Sequence, residues 1–316
     1  MGYNDKFRLN YNKIRRTLTK FFALNPFGHC GTMETEVKLR KRNKERILQL
    51  KHLKAILLTL GLFLAAMLPV SAVSVDLDGQ LFEDCLLVED TTYVALRSFG
   101  ELAAGTTATW DAASKSAFLS GNSLSLTAVE GGSYMIANGR YLYSERTPLI
   151  SDGKLYVPLR PLAKALGGEV SWNGDTEQAV YRSTGSIIEP GSSYYDADEL
   201  YWLSRIISAE SRGEPLIGQI AVGNVVLNRV RSEEFPNTIY SVIFDRKYGV
   251  QFTPVANQSI YMEPTESSMI AAKIVLDGYS ISEDILYFLD KSLATSFWIV
   301  ENRTHAFKIG CHDFYT

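Results

Sequence analysis

Ile206-Ile207-Ser208-Ala209-Glu210-Ser211-Arg212-Gly213-Glu214 is the stretch on which the reading of this 316-residue chain turns. The residues before it predict a helix opened by a capping box, with Asp196 at the N-cap and Glu199 at the third helical position. At about 100° per residue, Leu200, Leu203, Ile206 and Ile207 fall in one apolar stripe. Glu210 projects into that stripe between Leu203 and Ile206, one turn before Gly213 and Pro215 stop the helix. A carboxylate on a buried face is costly unless it is hydrogen-bonded, paired or protonated. Burial raises its pKa, and a carboxyl that keeps its proton near neutral pH is equipped to act as a general acid. Position alone leaves a second reading open, in which Glu210 is a core-edge residue salt-bridged to Arg205 or Arg212.

Beyond this helix, residues 218–231 are apolar nearly all round and predict a buried central helix. Ala221 and Gly223 leave room for a second helix to approach, and Asn224 and Asn228 are expected to satisfy buried backbone or each other. A short helix is expected over 238–244, and a longer one over 266–277, capped by Thr265 and closed by Gly278. Residues 285–289 and 297–300 read as short strands.

The front of the chain sets the compartment. A basic segment holding Lys38, Arg40, Lys41, Arg42, Lys44, Arg46, Lys51 and Lys54 precedes an uninterrupted apolar run over 55–68. Pro69 and Val70-Ser71-Ala72 then supply the small-residue cleavage pattern of a secretory signal. The run is shorter than the ~20 residues of a spanning helix, so a cleaved signal and a secreted location are expected. An uncleaved segment 55–70 would instead give membrane association, and Met33 is an alternative start to Met1. Without residues 1–72, Lys plus Arg fall from 32 to 18 and Asp plus Glu from 35 to 31, a formal −13. No basic footprint remains for nucleic acid, and any attachment to an anionic wall polymer must rest on shape and stacking. Of three cysteines, Cys30 precedes the signal, and Cys85 and Cys311 are expected to be unpaired thiols.

Residues 73–183 contain a repeat. Thr92-Tyr93-Val94-Ala95-Leu96-Arg97 recurs 63 residues on as Leu155-Tyr156-Val157-Pro158-Leu159-Arg160, and Thr109-Trp110-Asp111 recurs after 62 as Ser171-Trp172-Asn173. Each copy reads as a strand, a helix ending near glycine and a Trp-bearing strand. The equivalent places of Trp110 and Trp172 suggest core packing, with stacking on sugar rings as the other reading. Residues 184–196 have the Gly, Ser and Pro content of a linker. The boundaries are therefore 1–72, 73–183, 184–196 and 197–316. The fold class is α+β in two domains, a small duplicated α+β module followed by a mainly helical domain.

Residues 199–316 resemble the SleB-like cell-wall hydrolases, or spore-cortex-lytic enzymes. The resemblance rests on Ala209-Glu210-Ser211-Arg212-Gly213-Glu214-Pro215, Gly218-Gln219-Ile220-Ala221-Val222-Gly223 with Val226-Leu227-Asn228-Arg229-Val230, and Phe235-Pro236-Asn237-Thr238-Ile239. Gln251-Phe252-Thr253-Pro254-Val255, Glu263-Pro264-Thr265 and Ile309-Gly310-Cys311-His312-Asp313-Phe314-Tyr315 follow in the family's order. It implies a lysozyme-like domain that cleaves the glycan strand of peptidoglycan, with Glu210 as its catalytic acid. A single acid suffices when the sugar's own C6 hydroxyl attacks the anomeric carbon, which makes the reaction a lytic transglycosylation. Gln251 and Thr253 could bind sugar hydroxyls or the N-acetyl group, Phe252 could pack on a sugar face or in the core, and His312 could line the groove. Burial is expected for Trp298, and Glu214 is assigned to the turn before Gly218. Where the family has an Asn-Pro after the late strand, this chain has Asp290-Lys291. The repeat resembles the copper amine oxidase N-terminal-like domain. Between Val73 and Thr184, however, there is no histidine, Cys85 is the one cysteine and Met135 the one methionine, so neither a metal nor another cofactor is expected. His305 and His312, seven apart beside Cys311 and Asp313, do not form a recognised zinc pattern. The rival readings are a non-catalytic wall-binding protein and a metal-dependent peptidoglycan amidase.

Overall fold

The computed structural model describes residues 73–316 apart from Tyr248 and Val250. The expected signal, the alternative start and Cys30 lie outside the described residues.

The first part is rich in sheet. It runs β1 (Val75–Leu77), β2 (Gln80–Phe82), β3 (Cys85–Val88), β4 (Thr91–Ala95), α1 (Leu96–Ala104), β5 (Thr107–Asp111), β6 (Ser116–Gly121), β7 (Leu124–Val129), β8 (Tyr134–Ala137) and β9 (Arg140–Tyr143). It continues with β10 (Leu149–Ser151), β11 (Lys154–Pro158), α2 (Leu159–Ala165), β12 (Gly168–Asn173) and β13 (Gln178–Ser183). Tight hairpins follow from their turn residues. Asn138-Gly139 and Asp152-Gly153 both take positive φ, the twist that matches the flanking strands. The strands form sheets in the orders β5-β6-β7-β8-β9, β10-β11-β4-β3 and β12-β13-β1-β2.

The repeat is visible as a local two-fold. Strands β4 and β11 pair antiparallel with Val94 opposite Val157, so equivalent residues of the two copies face each other at the ladder's centre. Each strand leads directly into its helix, and Gly105 closes α1 in the left-handed conformation. Phe99 of α1 meets Phe82 and Tyr181 edge-on, at 5.2 and 5.3 Å, in the middle of this apolar core. The two tryptophans depart from expectation: Trp110 is 41% exposed and Trp172 61% exposed. Both sit one residue from the ends of their strands.

The segment after β13 is packed despite its linker composition. Ile188 is buried in the first core, Gly191 donates its N–H to Asn138 O at 2.8 Å, and α3 (Gly191–Tyr194) follows.

The second part holds α4 (Ala197–Ser211), α5 (Leu216–Arg231), α6 (Ile239–Ile243), α7 (Thr253–Ala256) and α8 (Glu266–Leu276). After these come β14 (Tyr287–Leu289), α9 (Trp298–Asn302), β15 (His305–Ile309) and β16 (His312–Tyr315). A three-stranded antiparallel sheet, β14-β16-β15, closes it. The fold is thus mixed α and β, a sheet-rich part followed by a second part with its own apolar core. Helix α5 is the centre of that second core. A Cβ added to Gly223 would lie 2.9 Å from Ile207 of α4 and 3.0 Å from Val275 of α8, so the glycine sets how closely the helices pack. Asn224 and Asn228 spend their amides on backbone, donating to Tyr279 O and to Ser282 O and Ile285 O, which pins the loop before β14 against α5. Residues 297–300 do not form the expected strand. Trp298 opens α9 and is 51% exposed. Cys85 and Cys311 are free thiols.

A buried ion cluster joins the two parts. Asp277, just past α8, accepts from Arg140 Nε and Nη2 at 2.8 Å each, pairs with Lys164, and takes the Tyr195 hydroxyl at 3.1 Å. Burial pushes the Asp277 carboxyl up, but the hydrogen bonds from Arg140 and Lys164 outweigh this and hold it below the ordinary carboxylate range. Tyr143 packs on Tyr279 beside it, with ring centres 4.4 Å apart.

Candidate functional site

Helix α4 forms as its residues dictate. Asp196 caps it, accepting from Asp198 N and Glu199 N at 2.9 Å each, and Leu203, Ile206 and Ile207 are fully buried. Glu210 lies in the last turn on the same side, half-buried. Neither arginine offered by the structural reading reaches it. Arg205 pairs with Glu263 at 2.6 Å and stacks on Tyr201, and Arg212 Nε donates to Ser208 O at 3.1 Å. Among the described residues, no hydrogen bond or ion pair engages the Glu210 carboxyl. Burial pushes its pKa up to about 7, against a partial lowering by Arg229.

Arg229 is the residue that sequence reasoning overlooked. It stands near the end of α5, and its guanidinium is buried among the rings of Phe235, Phe252 and Tyr287, 4.9, 5.2 and 5.4 Å away. Nε donates to Leu286 O at 2.7 Å, while one buried Nη nitrogen has no partner among the described residues. Burial lowers its pKa to about 10, with Tyr287, Asp245 and Glu210 acting the other way, so it stays a cation at neutral pH. The signal that singled out Glu210, a charge set in an apolar face, was present here too. Tyr287 continues the wall. Its hydroxyl accepts from Arg303 at 2.7 Å, and Arg303 lies 5.3 Å from the exposed ring of Trp298.

The other expected site residues scatter. Phe252 is 3% exposed, in the core under Arg229, and offers no free face to a sugar; this corrects its reading as a stacking residue. Gln251 donates to Gly249 O at 3.2 Å, and Thr253 is exposed at the start of α7. His312 is buried edge-on to Phe288 at 5.2 Å, with Nδ1 unpartnered. Burial lowers its pKa, partly offset by Glu214 and Asp290. Among the described residues no hydrogen bond links Glu210 to any of these three. Glu214 is a brace: its Oε2 accepts from Cys311 N at 3.1 Å, and its carboxylate lies over Gly310, where a Cβ would meet Oε2 at 1.6 Å. It therefore ties the end of α4 to the β15–β16 turn. Asp290 accepts from Ser292 N and Oγ at 2.8 and 2.6 Å, closing the turn after β14. His305 bonds Asp313 at 2.9 Å, and among the described residues no group of His, Cys, Asp or Glu is placed to hold a metal ion.

The class follows from this frame. Residues 213–315 match the Cell Wall Hydrolase family, and residues 75–181 and 136–194 match the Copper amine oxidase N-terminal domain. The C-terminal third therefore carries a cell wall hydrolase domain, preceded by a copper amine oxidase N-terminal-like domain. The matched span begins at Gly213, three residues past Glu210.

Among individual proteins, the chain is similar to the spore cortex-lytic enzyme of Bacillus cereus, 39% identical over 120 residues, which are 38% of this chain and 45% of that enzyme. The spore cortex-lytic enzyme of Bacillus subtilis is 38% identical over 120 residues, 38% of each chain. Among solved structures, the catalytic domain of the germination-specific lytic transglycosylase SleB from Bacillus anthracis is 36% identical. It covers 40% of this chain and 100% of its own, with a TM-score of 0.36. The chain spans less than half the length of the curated relatives it matches.

Proposed function

We propose that this protein acts outside the cytoplasmic membrane and cuts the glycan strand of peptidoglycan. The bond is the β-1,4 link between N-acetylmuramic acid and N-acetylglucosamine, and the reaction is a lytic transglycosylation on a lysozyme-like, mainly helical domain. The observation that carries this is the Glu210 carboxyl, unpaired among the described residues and pushed up to about 7. A group with that pKa keeps its proton on about half of the molecules at pH 7, against almost none for an ordinary carboxyl, and can give it to a glycosidic oxygen. The cell wall hydrolase domain and the names of the relatives support a cell-wall substrate.

The steps follow from one carboxyl. Glu210 protonates the bridging oxygen as the bond from the anomeric carbon breaks. The muramic acid C6 hydroxyl then bonds to that carbon and returns its proton to Glu210, which closes the cycle. Glycosidases that hydrolyse the bond use a second carboxyl as base or nucleophile. Here the charge acting on Glu210 is the cation of Arg229, with no acidic neighbour raising its pKa. Glu263 is occupied with Arg205 and Asp290 with its own turn. Arg229, with an unpartnered buried nitrogen, steadies the carboxylate form of Glu210 between the two proton transfers. Gln251, Thr253 and His312 are the polar groups assigned to the sugar.

Glu210→Gln tests the reading. Turnover of purified peptidoglycan should fall by about 10²–10⁴-fold, the range for lost acid–base catalysis. Mass analysis of the fragments should show anhydro ends rather than reducing ends. An active Glu210→Gln protein, or fragments cut at amide bonds, would sink the mechanism.

A further inference from the structure

The first domain holds a cavity of about 510 Å³, within the range of small-ligand sites. It lies between the start of α1, the β5–β6 hairpin and the β10–β11 turn. Its floor is made of small side chains, Ala108 and Ala117, and strand alternation puts Trp110 on the same face as Ala108. The half-exposed indole therefore stands at the rim of a hollow that its own strand leaves open. In the second repeat the larger Val170 occupies the position equivalent to Ala108; both pack against the core, and Trp172 is exposed.

The polar groups of the cavity are unevenly used. Asp84 is taken up by Lys154 at 2.8 Å, the Tyr156 hydroxyl at 2.7 Å and Ser98 at 3.1 Å. Arg97 also lines the cavity, is exposed, and has no hydrogen bond or ion pair among the described residues. An aromatic face beside a free guanidinium suits a ring that carries a carboxylate. Residues 73–183 hold 14 Asp and Glu against 8 Lys and Arg, so a densely charged polyanion is repelled as a whole, while this rim gathers two cations around one acid.

We propose that this cavity is a second glycan site, in which Trp110 stacks on a sugar ring and Arg97 binds a carboxylate that the sugar bears. Taking muramic acid of the wall glycan as that sugar rests on the lytic reading above; the stacking and charge chemistry do not.

The test uses the full chain carrying Glu210→Gln, so that the ligand is not consumed, co-sedimented with insoluble peptidoglycan. Trp110→Ala and Arg97→Gln should each weaken binding by about tenfold, the effect of one stacking or charged contact. Trp172→Ala should stay within about twofold. The free disaccharide of N-acetylglucosamine and N-acetylmuramic acid should compete, and neutral chitobiose should compete far less. Arg97→Gln removes an exposed, unpaired side chain and keeps the test open if Trp110→Ala fails to fold. Unchanged binding in Arg97→Gln, equal losses at Trp110 and Trp172, or equal competition by chitobiose would each overturn the site. With Glu210 intact, Arg97→Gln should cleave soluble glycan fragments at the parent rate. A chain that binds through Trp110 and Arg97 yet cuts nothing would leave this site standing and remove the lytic reading.

Discussion

Asp277, where the two domains meet, and Glu210, in the site, are both carboxylates drawn out of water, and they titrate in opposite directions. Asp277 receives Arg140, Lys164 and Tyr195, and the charged form wins despite burial. Glu210 receives no donor among the described residues, and burial lifts it to about 7. The same desolvation thus makes one group a permanent anion that fastens the domains and the other a proton carrier. What separates them is the number of donors supplied, not how deep each group sits.

The largest effect separating the two is on rate. Glu210→Gln should cost about 10²–10⁴-fold in turnover and leave the fold intact, because an amide is cheaper to bury than a carboxylate. Its thermal midpoint should match or exceed that of the parent at pH 8. In the parent, the folded state holds the Glu210 proton more tightly than the unfolded chain does. Stability should therefore fall as pH rises from about 4.5 to about 7, and Glu210→Gln should flatten that slope. A destabilised but active variant would erase the distinction between the two carboxylates.

Asp277→Ala should show the reverse, a stability loss of about 3–5 kcal/mol from leaving Arg140 buried without its partner. Specific activity of the folded fraction should persist. The depressed Asp277 pKa gives stability that is present above the ordinary Asp range and lost as pH falls through the folded value. Calorimetry should resolve one transition in the parent and two in Asp277→Ala, as expected if residues 73–183 and 197–316 fold as units coupled by this cluster. A single unshifted transition would show that the cluster couples nothing.

Glu214→Gln should have the smallest consequence, about 1 kcal/mol of stability from a weakened bond to Cys311 N, with activity within about tenfold of the parent. A loss equal to that of Glu210→Gln would move Glu214 from brace to catalyst.

Local pattern carried much of this into view. The cap at Asp196, the stripe through Leu203 and Ile207, and the place of Glu210 on it follow from helical spacing, and the repeat follows from its matching segments. Partners distant in sequence were not legible. Arg229 acts on the charge of Glu210 from another helix, α5, packed closely on α4 at Gly223, and Asp277 meets Arg140 across 137 residues. The aromatics were harder to place. Phe252, left open between core and sugar face, is buried, whereas Trp110, Trp172 and Trp298, expected to be buried, are exposed. Alternation over residues 297–300 gave way to a single helical turn.

The most direct measurement is the titration of the Glu210 carboxyl itself, followed by the carbon-13 shift of its side-chain carbonyl in labelled protein, with Glu210→Gln assigning the resonance. A midpoint near 7, moving higher in Arg229→Gln as the neighbouring cation is removed, is the result predicted. A midpoint at the ordinary value near 4.5, unmoved by Arg229→Gln, would mean that Glu210 is ionised at neutral pH and has no proton to give.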